Sequence, residues 1–210
     1  MPTEEPNQQA ASYHHGDLRN ALIYWGKLVL KKKGLQGLTL REVARAAGVS
    51  HNAPYRHFKD KTALLSAIVM DGFDQLSDAT QSAIDSGGTP QDQLTRACAA
   101  YVNIAIRSPE TTQLMLGRLA AEKECPPALT QAGFRLFSLL TEMIEEGQQA
   151  GVYRSGESRE MALSVWAMVQ GLAILISSEQ IKRGASQREI SRLTKRLCSQ
   201  LLEGLCQENT

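Results

Sequence analysis

The sequence predicts an all-α chain, with a small three-helix head and a larger body of about six helices. Three observations carry that expectation. Apolar residues recur at i, i+3, i+4, i+7 through most of the chain. Helix punctuation separates those runs: Thr39 three residues before Glu42, Thr89 before Pro90, Ser108 before Pro109, and Ser186 three residues before Glu189. No stretch alternates apolar and polar residues as a half-buried strand does, and there is no internal repeat.

Residues 1–15 are polar and read as a flexible arm. Adjacent His14 and His15 do not share a helical face, which argues against a metal pair. The first helix is expected over 16–33, with Leu18, Leu22, Trp25, Val29 and Leu30 on its apolar face. Lys31, Lys32 and Lys33 suit the negative end of its dipole, and Gly34 ends it. Thr39 and Glu42 have capping-box spacing and open a short second helix. Its buried stripe is Leu40, Val43, Ala44 and Ala47. Gly48 allows a tight turn, Val49 plugs the core beneath it, and Ser50 is a good N-cap for a third helix. That helix carries His51, Asn52, Tyr55, Arg56 and His57 outward, and Phe58 closes it against the core. Pro54 falls in its first turn, where proline costs less than in mid-helix, and leaves open where the helix begins. Two short helices about a Gly turn form a helix-turn-helix, whose second helix enters the DNA major groove. Residues 16–60 are thus expected to be a DNA-binding head.

The body spans 61–210. Asp60 can cap a long helix from near Lys61, kept periodic by Leu64, Leu65, Ile68, Val69, Phe73 and Leu76. Ser86 to Pro90 is a break, followed by helices near 90–107 and 110–121. A loop around Cys125, Pro126 and Pro127 precedes a helix near 127–149. Gly151 to Gly156 breaks the chain again before an apolar helix over about 158–183. Ser186 and Glu189 box the start of the last helix, with a stripe of Ile190, Leu193, Leu197, Leu201 and Leu205.

Net charge is only +1, but its distribution is uneven. Residues 1–70 hold 10 Lys and Arg against 5 Asp and Glu, while 71–210 hold 13 against 17. A basic head on a mildly acidic body suggests that the head meets phosphate. The polar start has no apolar signal core, and the most apolar run, Met161 to Ile176, is too short and too interrupted for a membrane span. A soluble, cytoplasmic protein without a membrane partner is expected. Cys98, Cys198 and Cys206 sit in helical stretches as small apolar residues, whereas Cys125 lies in a loop and is a candidate redox switch, the alternative being a free thiol in a reducing cytoplasm. No cysteine pair has zinc spacing, and no nucleophile elbow, phosphate loop or metal cluster points to an enzyme or a cofactor.

The run TLREVARAAGVSHNAPYRHFKDKTALL resembles the DNA-binding signature of the TetR family of bacterial repressors. YHHGDLRNALI upstream is similar to the start of that family's first helix. The resemblance implies residue roles. Arg41 matches a position that reaches a base, plausibly guanine, and Thr39 caps its helix beside a phosphate. His51 and Asn52 face bases, with Asn suited to adenine, in a run that includes Ser50 and Ala53. Tyr55 and His57 match phosphate or base contacts, Lys61 matches a phosphate contact, and Arg56 suits phosphate or plain solvent.

In the body, a helix apolar on every side must be buried on every side. Trp166, Val169, Leu172, Leu175 and Ile176 can face a core, leaving Ala162, Ala167, Ala173 and Ile174 as a second face for a partner subunit. TetR-like proteins dimerise through their last two helices, so the resemblance implies a homodimer on a palindromic operator, with recognition helices ~34 Å apart. Trp166 to Gly171 resembles the Trp-x-x-x-His-Gly motif of one TetR subgroup, with Gln170 in place of His. Trp166 and Gln170 lie one turn apart and could hold a small apolar effector with one polar group, the alternative being plain core packing. Tyr101, Met115, Phe134 and Met168 are further pocket candidates. The expected function is a repressor released by such an inducer, through a shift of the helix that begins near Lys61. The rival is a TetR-fold DNA-binding protein with no small-molecule ligand, acting in chromosome organisation or under a partner's control.

Overall fold

The computed structural model describes residues 18–118, 126–181, 184 and 186–205. The expected arm, His14, His15, Cys125, Cys206 and the side chain of Leu205 lie outside them. The chain divides into two units, Met1–Ile68 and Val69–Thr210. Eight α-helices and no strand are found among the described residues.

The first unit holds α1 (Leu18–Gly37), α2 (Leu40–Ala46) and the start of α3 (Lys61–Asp85). Gly34 sits inside α1 with φ 67° and ψ −177°, so the regular helix does end there, at a residue without a Cβ to clash. The buried face of α1 is Leu22, Ile23, Gly26, Val29 and Leu30, with Leu18 and Trp25 only half-buried. Gly26 lets α3 approach: a Cβ there would stand 3.0 Å from Ile68 Cδ1. The capping box at α2 is only half made. Thr39 Oγ1 accepts the Glu42 N–H at 3.1 Å, but the Glu42 carboxylate pairs with Lys33 and Arg45 rather than reaching back. These two cations outcompete a neutral backbone N–H, and they hold the Glu42 carboxyl below the usual carboxylate range. This tie is present at neutral pH and is lost as pH falls through that lowered value.

The turn after α2 is a Schellman motif. Gly48 has φ 68°, its N–H donates to Arg45 O at 3.3 Å, and the Val49 N–H donates to Ala44 O at 3.0 Å. The expected third α-helix is instead a series of turns from His51, closing in one 3-10 turn, Pro54–Arg56. Ala53 N–H bonds to Ser50 O, and Arg56 N–H to Ala53 O, both three residues back. Pro54 has no N–H to donate to Ser50 O, so the four-residue ladder cannot start there. Pro54 is itself buried, as is Phe58. Asp60 Oδ1 accepts the Ala63 N–H at 2.8 Å and opens α3 as expected.

The second unit holds the rest of α3, α4 (Pro90–Arg107), α5 (Pro109–Gln113), α6 (Pro127–Gln149), α7 (Ser158–Ser177) and α8 (Gln187–Leu205). Its core joins Leu94 and Val102 of α4, Ile144 of α6, Val165 and Val169 of α7, and Leu202 of α8. Thr89 and Asp92 complete a capping box at α4, and Ser186 and Glu189 bond reciprocally before α8. Ser108 makes no side-chain cap, and the helix expected over 110–121 is α5 followed by a π turn, Leu114–Arg118. α7 stops at Ser177, short of the expected 183, where Glu179 turns to φ 57° and the Ile181 N–H folds back to Leu175 O.

By length and composition α7 could cross a membrane, but Met161, Val165, Val169 and Leu172 are packed in the core. Its second face differs from the expected one. Ala162 and Ala173 are buried within the chain, while Leu163, Ala167, Ile174 and Leu175 are exposed. The small Ala162 and Ala173 fit within the chain's own packing, and the larger Leu163, Ile174 and Leu175 are left to solvent. On α8 the buried line is Ile190, Thr194, Cys198 and Leu202, and the expected seam residues Leu193, Leu197 and Leu201 flank it half-buried.

Gly147 is a close-contact glycine. A Cβ there would lie 2.2 Å from two ring carbons of Tyr153, which is 1 % exposed. Gly147→Ala is expected to destabilise the chain by ~1–3 kcal/mol, since the overpacking outweighs the gain in helix propensity. Thermal denaturation measures this as a fall in Tm of several degrees, on the order of 2–4 °C per kcal/mol.

Candidate functional site

The first unit presents one polar surface. Ser50, His51, Asn52, Tyr55, Arg56 and His57 are all exposed, Ala53 is half-buried, and Pro54 and Phe58 point inward. A buried proline and a buried phenylalanine thus anchor a turn whose other side chains are free to meet a ligand. The Arg19 guanidinium covers the Phe58 ring at 5.6 Å and shields it. Thr39, the N-cap of α2, and Arg41, in its first turn, are exposed as well. Lys61 is placed differently. Its Nζ donates to Leu35 O at 2.5 Å, tying the first turn of α3 to the backbone just after the kink at Gly34. An ammonium has three donors, so two remain for an anion. The sequence offered no signal for this bond, which joins residues 26 positions apart.

The second unit holds a cavity of about 760 Å³ that is partly open to solvent. Val69, Phe73 and Leu76 of α3, Leu140 of α6 and Val169 of α7 give it apolar walls. Tyr101, Met115, Phe134 and Trp166, four of the five expected ligand residues, line it. Gly72 makes room for Met115, whose sulfur would lie 2.8 Å from a Cβ at that position. Phe134, exposed, stands at the rim. Charge is confined to Glu157, Arg159 and Glu160 at the start of α7. The Arg159 guanidinium lies 5.3 Å above the Phe137 ring, which in turn packs against Trp166 at 5.9 Å.

Gln170, the fifth, is not in the cavity wall, and neither is Met168. The Gln170 Oε1 accepts the Tyr101 O–H, and the Tyr101 oxygen in turn accepts the Trp166 indole N–H. Burial pushes the Tyr101 phenol up, and the Trp166 bond moderates that rise. The spacing of Trp166 and Gln170, one helical turn apart, thus clamps one tyrosine of α4. A buried amide finds a protein partner in preference to water when one is in reach. Gln170→Leu is therefore expected to cost ~1–3 kcal/mol by stranding the Tyr101 hydroxyl. Adding Tyr101→Phe should return part of that loss. Chemical denaturation of the two single variants and the double variant measures the coupling.

Known protein families match stretches in both units of the chain. Residues 27–68 match the bacterial regulatory proteins of the tetR family, and residues 94–201 match the tetracyclin repressor-like C-terminal domain. The HTH-type transcriptional repressor KstR2 of Mycolicibacterium smegmatis is 27 % identical over 95 residues, 45 % of this chain and 43 % of that protein. The HTH-type transcriptional regulator BetI of Rhizobium meliloti is 28 % identical over 102 residues, 47 % of this chain and 48 % of that protein. The chain therefore spans less than half the length of these curated relatives. Among solved structures, a Rhodococcus sp. RHA1 protein of unknown function is 32 % identical with TM-score 0.82, covering 93 % of this chain and 99 % of its own. The fatty acid degradation regulator FadR of Bacillus halodurans shares the fold, at 14 % identity and TM-score 0.72, over 95 % of this chain and 97 % of its own.

Proposed function

Since the chain belongs to the TetR family of bacterial regulatory proteins, we propose that it is a homodimeric transcriptional repressor. It binds a palindromic operator through the Ser50–His57 surface and releases it on binding a small effector. The observation that carries the reading is the exposed run Ser50, His51, Asn52, Tyr55, Arg56 and His57, held out by buried Pro54 and Phe58 beside a Gly48 turn. Asn52 and His51 are the base readers and Arg41 a third. Thr39, Tyr55, His57 and the two spare donors of Lys61 serve phosphates. Residues 16–60 act as the DNA-binding domain and 61–210 as the effector-binding and dimerisation domain, working in the cytoplasm.

The cavity supports a ligand-responsive regulator over the ligand-independent rival. Its volume lies within the range of small-molecule sites, ~300–1,000 Å³. Apolar walls with charge only at one end suit a molecule with an apolar body and one polar group. The names of two structural relatives point to that chemistry: KstR2 of Mycobacterium tuberculosis is a ketosteroid regulator, and FadR one of fatty acid degradation. α3 lines the cavity with Val69, Phe73, Leu76 and Thr80 and carries Lys61 in its first turn. An effector that prefers one position of this helix weakens operator binding, and operator weakens effector binding by the same factor.

The test is footprinting on the DNA flanking the protein's own gene, followed by salt titration. One protected palindrome is expected, with affinity falling steeply as salt rises. Lys61→Ala should weaken all sequences about equally and flatten that slope. Selective loss on one operator variant would mean that Lys61 reads a base. Addition of long-chain fatty acids or steroids should release the DNA, and failure of every such compound would favour the ligand-independent rival.

A further inference from the structure

The cavity of the second unit draws its charge from one helix start, and one of those charges has the wrong sign for its place. Glu157, Arg159 and Glu160 line the cavity at the N-terminal end of α7. The positive end of a helix dipole favours carboxylates, which accounts for Glu157 and Glu160 without any ligand. It disfavours a cation, so Arg159 sits against the field of its own helix. No local bond compensates it: among the described residues Arg159 makes no hydrogen bond or ion pair. Its guanidinium lies instead 5.3 Å over the ring of Phe137, itself a cavity residue. A guanidinium stacked on a ring face keeps its in-plane N–H donors for another partner. Arg159 is exposed, as are the cavity residues Phe134 of α6 and Leu163 of α7. These three mark the open side of the cavity, with a cation whose donors are unused beside an apolar wall.

We propose that Arg159 holds the anionic head of the effector, so that the cavity takes an amphiphile ending in a carboxylate over one with a neutral or cationic head. This rests on the reading of the cavity as an effector site. The planar guanidinium fork matches the two oxygens of a carboxylate through parallel N–H···O bonds. The apolar body of such a ligand lies against Phe137, Trp166 and Val169, while its head stays at the open side, partly in water. The head therefore avoids the cost of a fully buried charge. Glu157 and Glu160 act in the opposite sense. Two carboxylates against one guanidinium repel a small free anion, so the bond to Arg159 needs the burial of an apolar chain to support it. Head and chain are thereby read together.

Calorimetric titration of the full chain, without DNA, tests the assignment with decanoate, decanol and decylamine as probes. At about pH 8 the acid is anionic and the amine cationic. Wild type should bind decanoate about tenfold more tightly than decanol, and decylamine most weakly. Arg159→Gln should abolish the preference for decanoate and leave decanol affinity unchanged, which also reports that the cavity is intact. Arg159→Lys should keep most of the preference, and Glu160→Gln should enlarge it. Arg159→Glu should reverse it, so that decylamine binds better than decanoate, an outcome that a packing role for Arg159 does not produce. Equal binding of decanoate and decanol by wild type, or an undiminished preference in Arg159→Gln, would overturn the role of Arg159 and leave the effector reading standing. Binding of none of the three probes would overturn both.

Discussion

Ile174→Glu is expected to give a monomer that no longer holds its operator. Ile174 is 50 % exposed on α7, beside exposed Leu175 and on a face shared with Leu163 and Ala167. Within one chain a glutamate there reaches water, so the fold should survive with little change in Tm. In the proposed dimer the same carboxylate is buried opposite apolar side chains of the partner, without a cation to pair it, which is strongly unfavourable. Half-buried Leu193, Leu197 and Leu201 of α8 extend the seam, but a charge at those positions also disturbs the core line of Ile190, Thr194, Cys198 and Leu202. Ile174 is therefore the cleaner site. Sedimentation should show single chains, and operator affinity should fall by about 100-fold or more, because one recognition surface reads too few base pairs alone. A persisting dimer with wild-type DNA binding would place the interface elsewhere.

Asn52→Ala should cost nearly as much on DNA while leaving the dimer intact. Asn52 is exposed in the turn between Ser50 and buried Pro54, so its removal should change stability by less than about 0.5 kcal/mol. An asparagine paired with adenine in the major groove is worth ~1–3 kcal/mol of discrimination, and the dimer has two copies. The expected loss is therefore ~2–6 kcal/mol on the best operator, with specificity relaxed at one base pair in each half-site. Binding to random DNA should be nearly unchanged. A uniform loss on all sequences would reassign Asn52 to a phosphate.

The Asn52 variant needs no chemistry that the sequence hides, because the proposed recognition surface is local. Thr39 to Phe58 is one contiguous stretch, and Gly48, Thr39 and the outward side chains follow from turn and cap rules that act over a few residues. The N-cap at Thr89 and the capping box at Ser186 were legible for the same reason, whereas the N-cap expected at Ser108 makes no side-chain bond. Where a local rule had a competitor, it lost. Glu42 was drawn from its box by Lys33, nine positions away, and Pro54 turned an expected helix into a 3-10 turn because it cannot donate a hydrogen bond.

What the sequence determined by itself is the all-α class, the order and approximate limits of most helices, and the polar side chains that stand exposed from Ser50 to His57. These depend on periodicity, caps and turn residues, each settled within one or two helical turns. What only the tertiary structure decided is which side chains meet across helices. Gln170 bonds to Tyr101 and closes a clamp instead of lining a cavity; Lys61 holds the Leu35 carbonyl; Gly147 yields its Cβ space to Tyr153. A helical period tells which face of a helix is apolar, but it holds no information on the rotation or register of the neighbour packed against it. Those are set by interdigitation of side chains from segments far apart in the chain, a condition that exists only once the helices are packed.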